Sequence, residues 1–104
     1  MSLRLPGQNS SPAPGQTGVD VLDYELMSEK AASLGRAGYY AEQYLRRLHE
    51  YEGGAEERVV LLKKTVEAVY AWFIQRELCG LKRHDSLIRE YSIPKEVLVR
   101  LGAK

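Results

Sequence analysis

The chain has 104 residues, 44% of them hydrophobic and 28% charged, with a formal net charge of +1. That length suits one domain of ordinary water-soluble composition, and the balanced charge gives no overall pull toward nucleic acid or an anionic membrane. A lone cysteine, Cys79, leaves no partner for an internal disulfide, and no apolar run approaches the ~20 residues that a bilayer span needs. The N-terminus shows no charged start followed by an apolar run and a small-residue cleavage site, so a cytoplasmic location is expected.

Residues 1–19 carry Pro6, Pro12, Pro14, Gly7, Gly15 and Gly18 among Ser, Asn and Gln, a composition expected to form a flexible tail. Its apolar pair, Leu3 and Leu5, is the part able to dock as an extended arm. Residues 20–104 are expected to form the helical domain.

The stretch from Asp20 to Glu52 reads as one long helix. Tyr24, Met27, Ala31, Leu34, Gly38, Ala41, Leu45 and Leu48 recur three and four residues apart, the spacing of a buried seam. At ~1.5 Å per residue such a helix is roughly 48 Å long, too long for a compact globule of this size to cover. Gly35 and Gly38 offer two readings. Each costs about 1 kcal/mol relative to alanine inside a helix, so either the helix breaks there or a second helix packs closely on Ala31, Gly35, Gly38 and Ala41. We take the continuous helix with a second copy as partner. The interface residues expected are Met27, Ala31, Leu34, Gly35, Gly38, Ala41, Leu45 and Leu48.

Gly53-Gly54 should end this helix, glycine supplying the left-handed conformation that a C-terminus favours, and reverse the chain into an antiparallel partner. Helix 2 is expected from about Ala55 to Cys79, with Glu56 and Glu57 at the positive end of its dipole and Gly80 as its stop. Val59, Leu62, Val66, Val69 and Phe73 continue the seam. Tyr70, Ile74 and Leu78 form a second row, with Trp72 off to the side, so the C-terminal half of this helix should hold the centre of the core. A short helix from Asp85 to about Tyr91, ended by Ser92, and a last helix with Pro94 in its first turn and running through Leu101 complete the chain.

Those last two helices have the rhythm of a helix-turn-helix. A recognition helix presents polar and basic side chains to DNA, whereas this one is about eight residues long and mostly apolar. From Arg76 to Lys104 seven Lys or Arg stand against four Asp or Glu, a net of +3, which is modest for phosphate binding. Packing is the favoured role. DNA contact through Lys82, Arg83, Arg89, Lys95 and Arg100 is the alternative.

Other chemistry finds little support. Neither histidine, His49 or His84, has a Glu three residues before it, as a carboxylate-bridged di-iron bundle requires. His49 with Glu52 could make half a site, and His84 suits a turn. Cys79 near a helix C-terminus meets the negative end of the dipole, which disfavours the thiolate. No phosphate loop, nucleophile elbow or zinc spacing occurs, so neither cofactor nor metal is expected. Tyr39, Tyr40, Tyr44 and Tyr51 with Arg36, Arg46 and Arg47 form the aromatic and basic mixture common at interfaces.

Leu22-Asp23-Tyr24-Glu25, Glu29-Lys30-Ala31, Leu34-Gly35-Arg36-Ala37-Gly38, Gln75 to Leu81 and Ile93 to Leu98 carry a resemblance. Over residues 20 to 102 the chain resembles a family of short, uncharacterised bacterial proteins catalogued as a domain of unknown function. That resemblance implies an all-helical fold and a bacterial source, and it implies no activity or catalytic residue. The expected architecture is all-α: a long antiparallel helical hairpin plus two short C-terminal helices, paired with a second copy into a four-helix bundle. Its expected function is a non-enzymatic, homodimeric interaction or scaffold.

Overall fold

The computed structural model describes residues 18–102, all of whose regular structure is helical: α1 (Gly18–His49), α2 (Ala55–Leu78), α3 (Asp85–Glu90) and α4 (Lys95–Gly102). The tail expected over residues 1–19 lies outside the described residues except for Gly18 and Val19, which open α1. That helix runs unbroken through Gly35 and Gly38 and packs along α2, while α4 packs on α2 as well. The fold is elongated, with principal extents of 67 × 23 × 21 Å.

Three contacts fix the register of the antiparallel hairpin. Trp72 lies against Gly38, the Thr65 hydroxyl approaches the Tyr44 carbonyl at 3.4 Å, and the Cys79 thiol faces the Lys30 carbonyl at 3.9 Å. Thr65 is fully buried, and its hydroxyl is satisfied by donating back to the Leu61 carbonyl at 2.8 Å. A polar atom thus sits in the core without a desolvation penalty left unpaid.

The hairpin turn differs from expectation. α1 stops at His49, short of Glu52, and neither Gly53 nor Gly54 adopts a left-handed conformation. Instead the Tyr51 ring folds back over Gly53, where a Cβ would collide with it, and its hydroxyl donates to the Gly54 carbonyl at 2.9 Å. Gly54 is extended and precedes α2. The two glycines serve the tyrosine rather than the helix end.

At the other end of α2 the expected stop is found. Gly80 has φ +90°, the Leu81 amide donates to the Arg76 carbonyl at 2.8 Å and the Gly80 amide to Glu77 at 3.0 Å, the double closure of a Schellman motif. The end of α3 repeats it, with Ser92 at φ 48°, Ile93 bonded to Ile88 and Ser92 to Arg89. Pro94 then caps α4, its carbonyl accepting from Val97 and Leu98.

These turns send α3 and α4 back alongside the hairpin. Arg76 meets His84, Trp72 meets Tyr91 and Arg58 meets Glu96, so the C-terminal segment runs the length of α2 rather than across the hairpin's end. Ala41, Leu45, Leu48, Leu62, Val69, Trp72, Leu87, Ile93 and Val97 form one core. Trp72, expected at the margin, is only 6% exposed and central to it.

Candidate interaction surface

α2 is eight residues shorter than α1, 24 against 32. Because Cys79 is level with Lys30, the part of α1 before Lys30 projects beyond its neighbour. Every residue from Gly18 to Ala32 is exposed. Six of them are large and apolar: Val19, Val21, Leu22, Tyr24, Leu26 and Met27, from 44% to 72% accessible. Where α2 ends, Met27, Ala31, Leu34, Leu78 and Cys79 line an open, mainly apolar cleft of about 360 Å³.

Two grooves flank the hairpin farther along. On one side Glu42, Leu45, Arg46 and His49 face Glu90, Tyr91 and Ser92 across about 410 Å³. Tyr91 bridges it by donating to the Glu42 carboxylate at 2.9 Å, and that hydrogen bond, with partial burial, holds the phenol above its ordinary pKa. The opposite groove, about 450 Å³, has no wall from α3 or α4: Ala37, Tyr40 and Tyr44 of α1 face Lys64, Glu67, Ala68 and Ala71 of α2. Its floor of alanines is shallow enough for another backbone to come close. The Arg47 guanidinium stands 5.2 Å over the Tyr44 ring.

The structure divides the eight interface candidates. Gly38, Ala41, Leu45 and Leu48 are buried within the chain's own core, Leu34 is half-buried, and Met27, Ala31 and Gly35 are exposed. Only Gly38 of the two glycines receives a neighbour, the Trp72 indole; around Gly35 there is open space. Of the possible DNA contacts, Lys82, Arg83, Arg89, Lys95 and Arg100 are all exposed, and Arg83 pairs with Asp85 at 3.3 Å.

The histidines and the cysteine have structural surroundings. Arg76 Nε donates to His84 Nδ1 at 3.0 Å, so His84 Nε2 is the donor to Glu77, also at 3.0 Å. Phe73 stacks flat on the imidazole at 4.0 Å, and Arg76 also donates to the Arg83 carbonyl at 2.8 Å. This cluster ties the α2–α3 turn to α2. His49 is exposed, and Cys79 is half-buried at the edge of the apolar cleft. Among the described residues no three His, Cys, Asp or Glu side chains gather around a point where a metal could sit, and no helix is long and apolar enough to cross a membrane.

The all-helical fold is what the resemblance implied, the hairpin with two short C-terminal helices is what periodicity and helix-end signals implied, and the match to a family model extends over residues 1–104. The chain belongs to DUF6665, a family of unknown function. No curated protein and no solved structure matches it. Membership of DUF6665 assigns no role to any residue. Sequence periodicity picked out the angular line of α1 that holds its buried residues, and composition singled out Tyr40 and Tyr44, but neither found Ala37, Ala68 and Ala71, which complete the groove with them. The signal available was the clustering of alanine and tyrosine just beside the seam.

Proposed function

We infer that this chain is a non-enzymatic interaction or scaffold protein that works as a homodimer, its hairpin pairing with that of a second copy into a four-helix bundle. The observation that carries this reading is the unequal length of α1 and α2, which leaves six large apolar side chains in water on a projecting helix. An isolated helix of about a dozen residues is marginal in water and draws its stability from packing. Val19, Leu22 and Leu26 share one face of that helix, and exposed apolar surface of this kind marks association sites. A cytoplasmic setting, in which Cys79 stays reduced, suits such a protein.

Sedimentation velocity on the full chain tests this. The expected result is twice the 11.8 kDa chain mass, and a bare monomer at about 100 µM, far above ordinary homodimer constants, would sink the reading. The rival role, DNA binding, draws on the exposure of Lys82, Arg83, Arg89, Lys95 and Arg100. It predicts a salt-sensitive DNA shift that Lys95→Glu with Arg100→Glu abolishes.

A further inference from the structure

One angular position on α1 is apolar twice. Eighteen residues separate Val19 from Ala37, Leu22 from Tyr40 and Leu26 from Tyr44, and eighteen residues are five whole turns, about 27 Å. The first trio stands out from the projecting helix, Leu22 and Leu26 being 55% and 54% exposed. The second trio, with Ala68 and Ala71, walls the open groove. A single helix face therefore carries a knob at one end and a hollow at the other.

We propose that a second copy of this chain, related by a twofold axis passing beside Ser33, lays its Val19–Leu22–Leu26 face in this groove while the first copy's knob enters the second copy's groove. The proposal rests on the homodimer reading and names the contact that forms it. Ser33 is the midpoint both between Leu22 and Tyr44 and between Leu26 and Tyr40, so one rotation satisfies both pairings, as an isologous interface requires. The two α1 helices then run antiparallel, as do α1 and α2 within each hairpin.

Charge argues for the second copy over any other occupant. Glu29 and Arg36 lie on opposite sides of Ser33, four and three residues away, and within the chain their exposed side chains already pair at 3.6 Å. Antiparallel pairing about Ser33 also sets each Glu29 beside the second copy's Arg36, joining the two pairs into one alternating cluster of four charges. The Arg47 guanidinium already covers the rim of the groove over Tyr44. The face is complementary to itself in shape and in sign.

The experiment measures dimer dissociation by sedimentation for Leu26→Glu and Tyr40→Glu, with circular dichroism as the check on folding. Both side chains are exposed in the single chain, so helix content should persist while dimer affinity falls about tenfold or more. A second arm mixes Glu29→Arg with Arg36→Glu. Each variant alone sets like charges across the axis and should dimerise more weakly, whereas the mixture restores both pairs and should form mostly heterodimer. A wild-type monomer overturns this proposal together with the homodimer reading. A wild-type dimer unmoved by Leu26→Glu or Tyr40→Glu, or charge variants that pair at random, overturns the proposed face and leaves the homodimer standing.

Discussion

The indole of Trp72 lies on the bare backbone of Gly38, so close that a Cβ at that glycine would stand 3.0 Å from the indole Nε1. The same indole meets the Tyr91 ring edge to face, with centroids 5.2 Å apart. Gly38 thus lets one large side chain tie α1, α2 and the turn between α3 and α4 into a single core.

The two glycines of α1 should therefore respond oppositely to alanine. Gly35 has open space where a Cβ would go, so Gly35→Ala should stabilise by about 0.5–1 kcal/mol through helix propensity alone. Gly38→Ala must push the Trp72 indole back by a few tenths of an ångström, and because that indole is held on its other side by Tyr91 the substitution should destabilise by about 1 kcal/mol. Urea unfolding of both variants checks this. Equal shifts would mean that the Trp72 contact does not constrain α1.

Ser92 does with a side chain what Gly80 does without one. Both occupy the left-handed position of a Schellman motif, Gly80 at φ +90° and Ser92 at φ 48°. A left-handed conformation costs a residue with a Cβ about 1–2 kcal/mol, and glycine recovers part of that at some entropic expense. Ser92→Gly should raise stability by up to about 1 kcal/mol in thermal unfolding, and Ser92→Val should lower it.

Arg58 and Glu96 join the start of α2 to α4 through two hydrogen bonds, at 3.2 and 2.5 Å. The guanidinium's hydrogen bond holds the Glu96 carboxyl below its ordinary pKa, with partial desolvation opposing, and Glu96 raises that of Arg58 in return. A depressed carboxyl binds fewer protons folded than unfolded, so its contribution is present above the unfolded value of about 4.3 and fades as pH falls through the lower folded value. Both side chains are 39% exposed, and the effect should be small and salt-sensitive. Compared with Glu96→Gln, the wild type should be more stable at pH 7, and the difference should close as pH falls below about 4.

Tyr91 and Glu42 give the opposite dependence. The phenol's raised pKa means that this hydrogen bond contributes fully below the ordinary tyrosine value of about 10 and is lost as pH rises through the folded value. Tyr91→Phe should cost about 1 kcal/mol at pH 7, with little effect on the edge-to-face contact with Trp72. Above the raised value the variant should match the wild type. A gap between the two that persists at high pH would assign the cost to lost packing instead.

Several elements were legible because their signals are local. Gly80, Pro94 and the acidic first turn of α2 mark helix ends through backbone conformation and dipole, and each lies within a few residues of where the structure puts it. Gly53-Gly54 misled because glycine marks freedom without saying what uses it. There the user is the Tyr51 ring, whose hydroxyl closes onto Gly54. Trp72 was misplaced for a related reason. Its angular position on α2 is beside the α1 seam, and only the return of α3 and α4 turns that side into an interior.

By itself, then, the sequence determined that this chain is helical, where three of its helix ends fall, and the angular line on α1 that its buried residues Gly38, Ala41, Leu45 and Leu48 share, because 3.6-residue periodicity and capping chemistry act within a few residues. The tertiary structure decided which neighbour each apolar face meets. Leu45 and Leu48 are spent on the chain's own core, whereas Leu22 and Leu26, apolar to the same degree, remain in water. Nothing in the local sequence separates those pairs. The difference is that α2 ends at Leu78, level with the start of the paired part of α1, and leaves the first turns of that helix with no partner in the same chain.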